Sequence, residues 1–151
     1  MYTDTSLSPA ARLLGYAGLL PQILCLIIAG LRLEYEYIAL ACGFAYAAAI
    51  FSFLGGVWWG QAISSGKARA DAYLLSVLPS LLAVGLFLPW TLGWDWPGPA
   101  LLYLGTLILL SPLIDRRLAF AKTDFLKLRI HLSLGLGALT IALGVVAEFT
   151  V

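Results

Sequence analysis

Apolar residues run along this chain in long unbroken blocks, without the strict alternation that marks a half-buried or barrel-forming strand. Five blocks reach or approach the roughly 20 residues that cross a bilayer as a helix: 13–31, 37–63, 72–94, 97–114 and 130–147. The last two are shorter, yet hold no acidic or cationic residue. The pattern predicts an all-α bundle of five transmembrane helices, folded as one domain. At 27 residues the second block would be about 40 Å long, since a helix rises about 1.5 Å per residue. It should therefore tilt or protrude. The first block lacks the basic flank of a secretion signal, with Asp4 the only charge before Arg12, and is read as a retained span.

Composition agrees. Of the 151 residues, 62% are hydrophobic and 11% charged, against about 25% charged in ordinary soluble domains. A globule of this size leaves about 30% of its unfolded surface in water, so such a chain fits lipid better than water. The net charge of +1 matters less than its placement. With five spans, Arg12, Lys67, Arg69, Arg116, Arg117, Lys122, Lys127 and Arg129 fall on one side of the membrane, and Arg32 alone on the other. Cytoplasmic loops carry the excess of lysine and arginine, which predicts a cytoplasmic N-terminus and an external C-terminus. Trp90, Trp94 and Trp96 around the outer turn, and Trp58 and Trp59 near the inner end of the second span, read as interfacial anchors.

Placed on a helix at about 100° per residue, Ala41, Ala45, Ala48, Ala49, Ser52, Gly55, Gly56 and Gly60 form one continuous face. Small residues let helix backbones approach closely in lipid, where hiding apolar surface brings no gain. The stripe, with its Gly56–Gly60 step and Trp59 along one edge, predicts a groove for a neighbouring helix. Gly135, Gly137, Ala138, Ala142 and Gly144 make the fifth span a candidate partner.

Polar groups at membrane depth are functional candidates, because leaving them unpaired is costly. Gln22 follows Pro21 in the first span; Ser76, Pro79 and Ser80 mark the third. Together they predict a small polar cavity between two kinked helices. By the expected boundaries no carboxylate lies within a span, which argues against a proton- or sodium-coupled pump. Cys25 and Cys42 stand alone, near the same end of adjacent spans, and read as buried small apolar residues.

In the segment 115–129, Leu118, Ala121, Phe125 and Leu128 recur at spacings of three and four, with Arg116, Arg117, Lys122, Lys127 and Arg129 between them. This predicts an amphipathic helix in the cytoplasmic headgroup layer, its cations on anionic lipid or on a partner. His131 begins the next span. The chain holds no phosphate-binding loop, dinucleotide fingerprint or HExxH, and its cysteines and lone histidine supply no zinc or iron–sulfur set. No catalytic residues, metal ligands or cofactor are assigned, and nothing points to nucleic acid.

"SFLGGVWWG", residues 52–60, resembles the SFLGG-x-x-WG signature of a family of small bacterial inner-membrane proteins of unknown function, whose eukaryotic relatives are the mitochondrial transmembrane-protein-69-like proteins. "GLLP" ending at Pro21, "LPSLL" at 78–82 and "LKLR" at 126–129 fit the same order. Gln22 and His131 depart from it, standing where the pattern is usually apolar (or, for His131, proline-bearing). The resemblance implies a five-helix protein of the bacterial inner membrane with a periplasmic C-terminus, and brings no activity with it. A second family of similar size, the tryptophan-rich sensory/translocator proteins, fits less well, since "DWPGP" is the nearest approach to its W-x-P-P-type loop.

The first functional expectation is a non-enzymatic accessory factor for assembly or stability in the membrane. Its partners would be membrane lipids, anionic above all, and a membrane protein or a second copy. The alternative is a binder or carrier of a small apolar or lipid-like molecule, held by Gln22, Ser52, Gly56, Trp59, Gly60, Ser76 and Ser80. An enzyme acting on lipid headgroups through Asp115, Arg116, Arg117 and His131 ranks third.

Overall fold

In a computed structural model, which describes residues 8–31, 34–66, 70–94, 96–118 and 123–149, every regular element is a helix. These are α1 (Pro9–Ala17), α2 (Leu20–Gly30), α3 (Glu36–Ser65), α4 (Ala70–Thr91), α5 (Gly98–Leu118) and α6 (Thr123–Glu148). With α1 and α2 taken together, five stretches are long and apolar enough to cross a membrane. Arg32, Lys67, Arg69 and Lys122, which enter the charge count above, lie outside the described residues.

The first span is broken one turn before the expected place. Pro21 sits in the first turn of α2, where a missing N–H costs no helical bond, and the break falls at Gly18 and Leu19. Gly18 closes α1 with bonds to the carbonyls of Leu14 and Gly15. Tyr46 of α3 donates its hydroxyl to the Gly18 carbonyl that the break leaves open. A tertiary contact thus satisfies the interrupted backbone, as a helix in hydrocarbon requires.

α3 is the central rod and packs against α2, α4, α5 and α6. Its buried side is a ladder of Leu40, Phe44, Ala47, Phe51, Leu54, Trp58 and Ala62, spaced by three and four residues, the period of one helix face. Gly66, in the left-handed region at φ 62°, ends it. The most extensive pairing lies elsewhere, between α5 and α6. There Gly105 faces Gly137 so closely that a Cβ on Gly105 would sit 2.9 Å from the Gly137 carbonyl oxygen. Gly144 meets Leu101 and Leu102, seven residues further on. The small residues of the fifth span therefore serve chiefly α5, and Gly135 rests on Leu19 of the first span.

The stripe on α3 divides into three parts. Gly55 is in tight contact with α4, and a Cβ there would overlap the Ser76 carbonyl. Gly56 and Gly60 face nothing within 4 Å, so the expected Gly56–Gly60 step joins no helix of this chain. The alanines above them line an open groove. Trp59 is 43% exposed and stacks edge-on against Tyr73 at 4.9 Å, whereas Trp58 is wholly buried. Which of two adjacent tryptophans turns inward depends on the packed face of α3, and that face is the one with the large side chains.

Substitution of Gly55 by alanine should destabilise the bundle by about 1–3 kcal/mol, the usual range for overpacking. Gly56→Ala, with open space around it, should leave the protein as stable as before or slightly more so. Thermal unfolding in mild detergent distinguishes them, and equal losses would show that Gly55 has no special contact with α4.

Candidate functional site

The inner face of α6 carries Arg129, Ser133 and Thr140, all buried, at spacings of four and seven residues. Each finds a partner on a different turn of the bundle. Arg129 donates from Nη2 (2.9 Å) and Nε (3.3 Å) to Oδ2 of Asp115. The Ser133 and Ser111 hydroxyls lie 3.2 Å apart. Gln22 donates from Nε2 to the Thr140 hydroxyl at 3.1 Å, and that hydroxyl in turn donates to the Leu136 carbonyl. The second oxygen of Asp115 accepts the indole N–H of Trp58 at 2.7 Å. Both carboxylate oxygens are thus engaged, in a pair almost closed to solvent.

This seam corrects several expectations. Asp115 belongs to α5, which continues to Leu118, so a buried carboxylate does lie within a helix long and apolar enough to cross a membrane. Arg129 belongs to the start of α6 and is buried against that carboxylate. The segment 115–129 is not a separate amphipathic helix: its first four residues end one span and residues 123–129 begin the next. Arg116 and Arg117 are exposed, as expected of surface cations, and Lys122 lies outside the described residues. A buried pair costs much desolvation, and its worth shows mainly when one member is lost. Because the Trp58 N–H completes the Asp115 shell, three helices share one carboxylate.

Gln22 does not join the serines of the third span. It is buried against α6, while the Ser76 hydroxyl donates to the Ala72 carbonyl of its own helix. The structure instead opens a groove between α3 and α4, about 570 Å3 in volume. Its floor is the upper part of the small stripe, Ala41, Ala45, Ala48, Ala49 and Ser52, and α4 contributes Ser80, Ala83 and Val84. Gly55 sets its lower end, holding α3 on α4. Its upper end is closed by rings: Trp96 lies 5.2 Å from Phe44 edge-on and 5.3 Å from Trp90 in a stack, with Phe87 beside them. Of the expected cavity residues, Ser52 and Ser80 line this groove, but Gln22, Gly56, Trp59, Gly60 and Ser76 do not.

Trp96 is only 7% exposed and so is a core residue, not the interfacial anchor expected of it. A cis peptide bond joins it to Pro97. Its buried indole N–H finds no acceptor among the described residues. Trp94, 67% exposed, keeps the anchor role, and Trp90 is half exposed at the groove rim. Nothing local tells a folded-back tryptophan from one that floats at the interface. Cys42 borders the groove and is exposed, and Cys25 is half-buried, so neither is the buried apolar residue expected from its run; both are free thiols.

At the opposite end, α1 lies against α6 through Gly15, whose absent side chain leaves room for Leu132 and Leu128. A shallow notch of about 290 Å3 there is lined by Arg12, Tyr16, Asp124, Lys127, Leu128 and His131. The Tyr16 hydroxyl stands 3.4 Å from His131 Nδ1. Among the described residues, no three of His, Cys, Asp and Glu gather as a metal would need.

Asp115→Leu should cost about 3–5 kcal/mol, because it strands a buried guanidinium. Trp58→Phe should cost about 1.5–3 kcal/mol, the loss of one hydrogen bond to a charged group. The double replacement of Asp115 and Arg129 by leucine should be milder than Asp115→Leu alone. Unfolding midpoints of the unaltered protein, Asp115→Leu, Arg129→Leu and the double variant form the cycle, and simple additivity would mean that the two groups do not act as a pair.

The chain matches, over residues 7–145, the family described as "Protein of unknown function (DUF3429)". Neither the curated proteins nor the solved structures include a match to it. The family match takes in the polar seam, the groove and the notch together, from Arg12 to Gly144. The protein is a member of the DUF3429 family, whose function is unknown.

Proposed function

We propose that this is a non-enzymatic protein of the bacterial inner membrane that binds an apolar, lipid-like molecule in the groove between α3 and α4. The observation that carries the reading is the groove itself, floored by the small residues of α3, walled by α4 and closed at one end by the rings of Phe44, Phe87, Trp90 and Trp96. The volume lies within the roughly 300–1,000 Å3 of small-molecule sites, and the lining is almost wholly apolar. Lipid tails are as apolar as such a wall, so burial alone selects nothing in a bilayer. Discrimination must come from the polar atoms, the Ser52 and Ser80 hydroxyls along the walls. A molecule with one hydrogen-bond acceptor on an apolar body, entering sideways from the bilayer, meets both demands.

The lysine and arginine distribution supports an orientation with the N-terminus in the cytoplasm and the C-terminus in the periplasm. The groove then lies in the outer half of the membrane. The SFLGG-x-x-WG element supports kinship with the transmembrane-protein-69-like proteins; in the fold it spans the turns where Gly55 meets Ser76 and Trp58 meets Asp115. A second reading, an assembly factor, is favoured by one observation: Gly56 and Gly60 present an uncovered close-packing step to the lipid.

Reconstitution with a phosphatidylcholine carrying a photoreactive acyl chain tests the first reading. Labels should concentrate on residues 41–52 and 80–87. Ala48→Leu with Ala49→Leu should fill the groove and cut labelling severalfold, and Ser52→Ala with Ser80→Ala should weaken it about fivefold, the worth of one ordinary hydrogen bond. Uniform labelling around the bundle would defeat the proposal, and crosslinks from residues 57–61 to a second polypeptide would favour assembly.

A further inference from the structure

The notch between α1 and α6 lies outside the groove and takes no part in the proposed function. Arg12 and Tyr16 are four residues apart on α1, as are Lys127 and His131 on α6, so each pair lies on one face of its helix. Gly15 lets the two helices approach, and the contact brings the four side chains around one opening. Both pairs stand where polar sequence gives way to the apolar runs, which puts the notch at headgroup depth. Among the described residues neither Arg12 nor Lys127 is hydrogen-bonded or ion-paired through its side chain. Asp124 completes the rim.

We infer that this notch binds the headgroup of an aminophospholipid, a phosphate joined to a primary ammonium. Arg12 and Lys127 supply cations for the phosphate, and the Tyr16 hydroxyl and His131 supply further hydrogen-bonding groups. Asp124 supplies the acceptor for an ammonium that can still donate. A purely anionic lipid would meet the Asp124 carboxylate as a repulsive element, and a choline headgroup has no N–H to give it. The charges of the notch are thus two positive and one negative around a ligand of one negative and one positive group. At about 290 Å3 the opening suits a headgroup and not an acyl chain.

The test uses the full chain in phosphatidylcholine nanodiscs containing small equal fractions of phosphatidylethanolamine and phosphatidylglycerol, with retained lipid counted by native mass spectrometry. Phosphatidylethanolamine should be retained in preference to both others. Arg12→Gln and Lys127→Gln should each weaken retention about fivefold, while Arg116→Gln, an exposed cation outside the notch, should leave it unchanged. Asp124→Asn should abolish the preference for phosphatidylethanolamine over phosphatidylglycerol and still allow phosphate binding. Soluble phosphoethanolamine at millimolar concentration distinguishes the sources: no displacement assigns the site to the lipid, and full displacement keeps the headgroup chemistry but assigns a soluble ligand. Preference for phosphatidylglycerol in the unaltered protein, or an equal loss in Arg116→Gln, would overturn the inference and leave only a basic surface.

Discussion

Everything in this bundle is arranged around one requirement: polar groups placed in hydrocarbon need partners, because no water stands ready to replace them. α6 meets it with a stripe that engages Asp115, Ser111 and Gln22 in turn. Those three partners sit on α5 and α2, so the stripe fixes how both spans lie along α6. Apolar packing alone would tolerate a slip of one turn between two leucine-rich rods. A slip here would separate a buried carboxylate from a buried guanidinium. The register is therefore polar in origin, although almost all of the contact area is apolar.

Close approach is the second constraint, and it works by omission. Gly105 and Gly137 remove side chains where α5 meets α6, Gly43 makes room for Leu143, and Gly55 brings α3 onto the Ser76 carbonyl. Each of these contacts is local, so the helices it joins can diverge beyond it. Above Gly55 the wall of α3 continues with alanines that have no helix to receive, and the space becomes a groove. Its closed end is a ring cluster whose central member, Trp96, enters from the loop before α5 and not from either groove wall. The groove, capped by a residue of the loop before α5, is part of the packing of α3 and α4. It requires no hinge.

The two sites proposed for this protein differ in chemistry because they lie at different depths. Within the hydrocarbon layer only a few polar atoms can distinguish one apolar molecule from another, and the groove offers two hydroxyls. At the headgroup layer charges are inexpensive and mobile, and the notch offers two cations and one carboxylate. The exposed pair Arg116 and Arg117 at the end of α5 carries charge without an enclosing wall.

Much of the architecture was legible in the chain: five spans, their approximate bounds, a long second helix, and a small-residue face upon it. Those features follow from composition over windows of about 20 residues, and length and hydropathy are additive along a sequence. What could not be read was which side of each helix is occupied. In a lipid-soluble rod every face is apolar, so the period that reveals the inner face of a soluble helix is muted. Hence Trp59 was favoured over Trp58, and the Gly56–Gly60 step over the ladder of large residues from Leu40 to Ala62. Asp115 and Arg129 looked like loop charges because they stand at the edges of their apolar runs. Only a fold that sets the end of α5 beside the start of α6, with Trp58 between, turns two such edge charges into a buried pair. The chain by itself determined that its helices are long and apolar enough to cross a membrane; the tertiary structure decided which polar atoms meet, because pairing depends on distances between segments that share no local sequence.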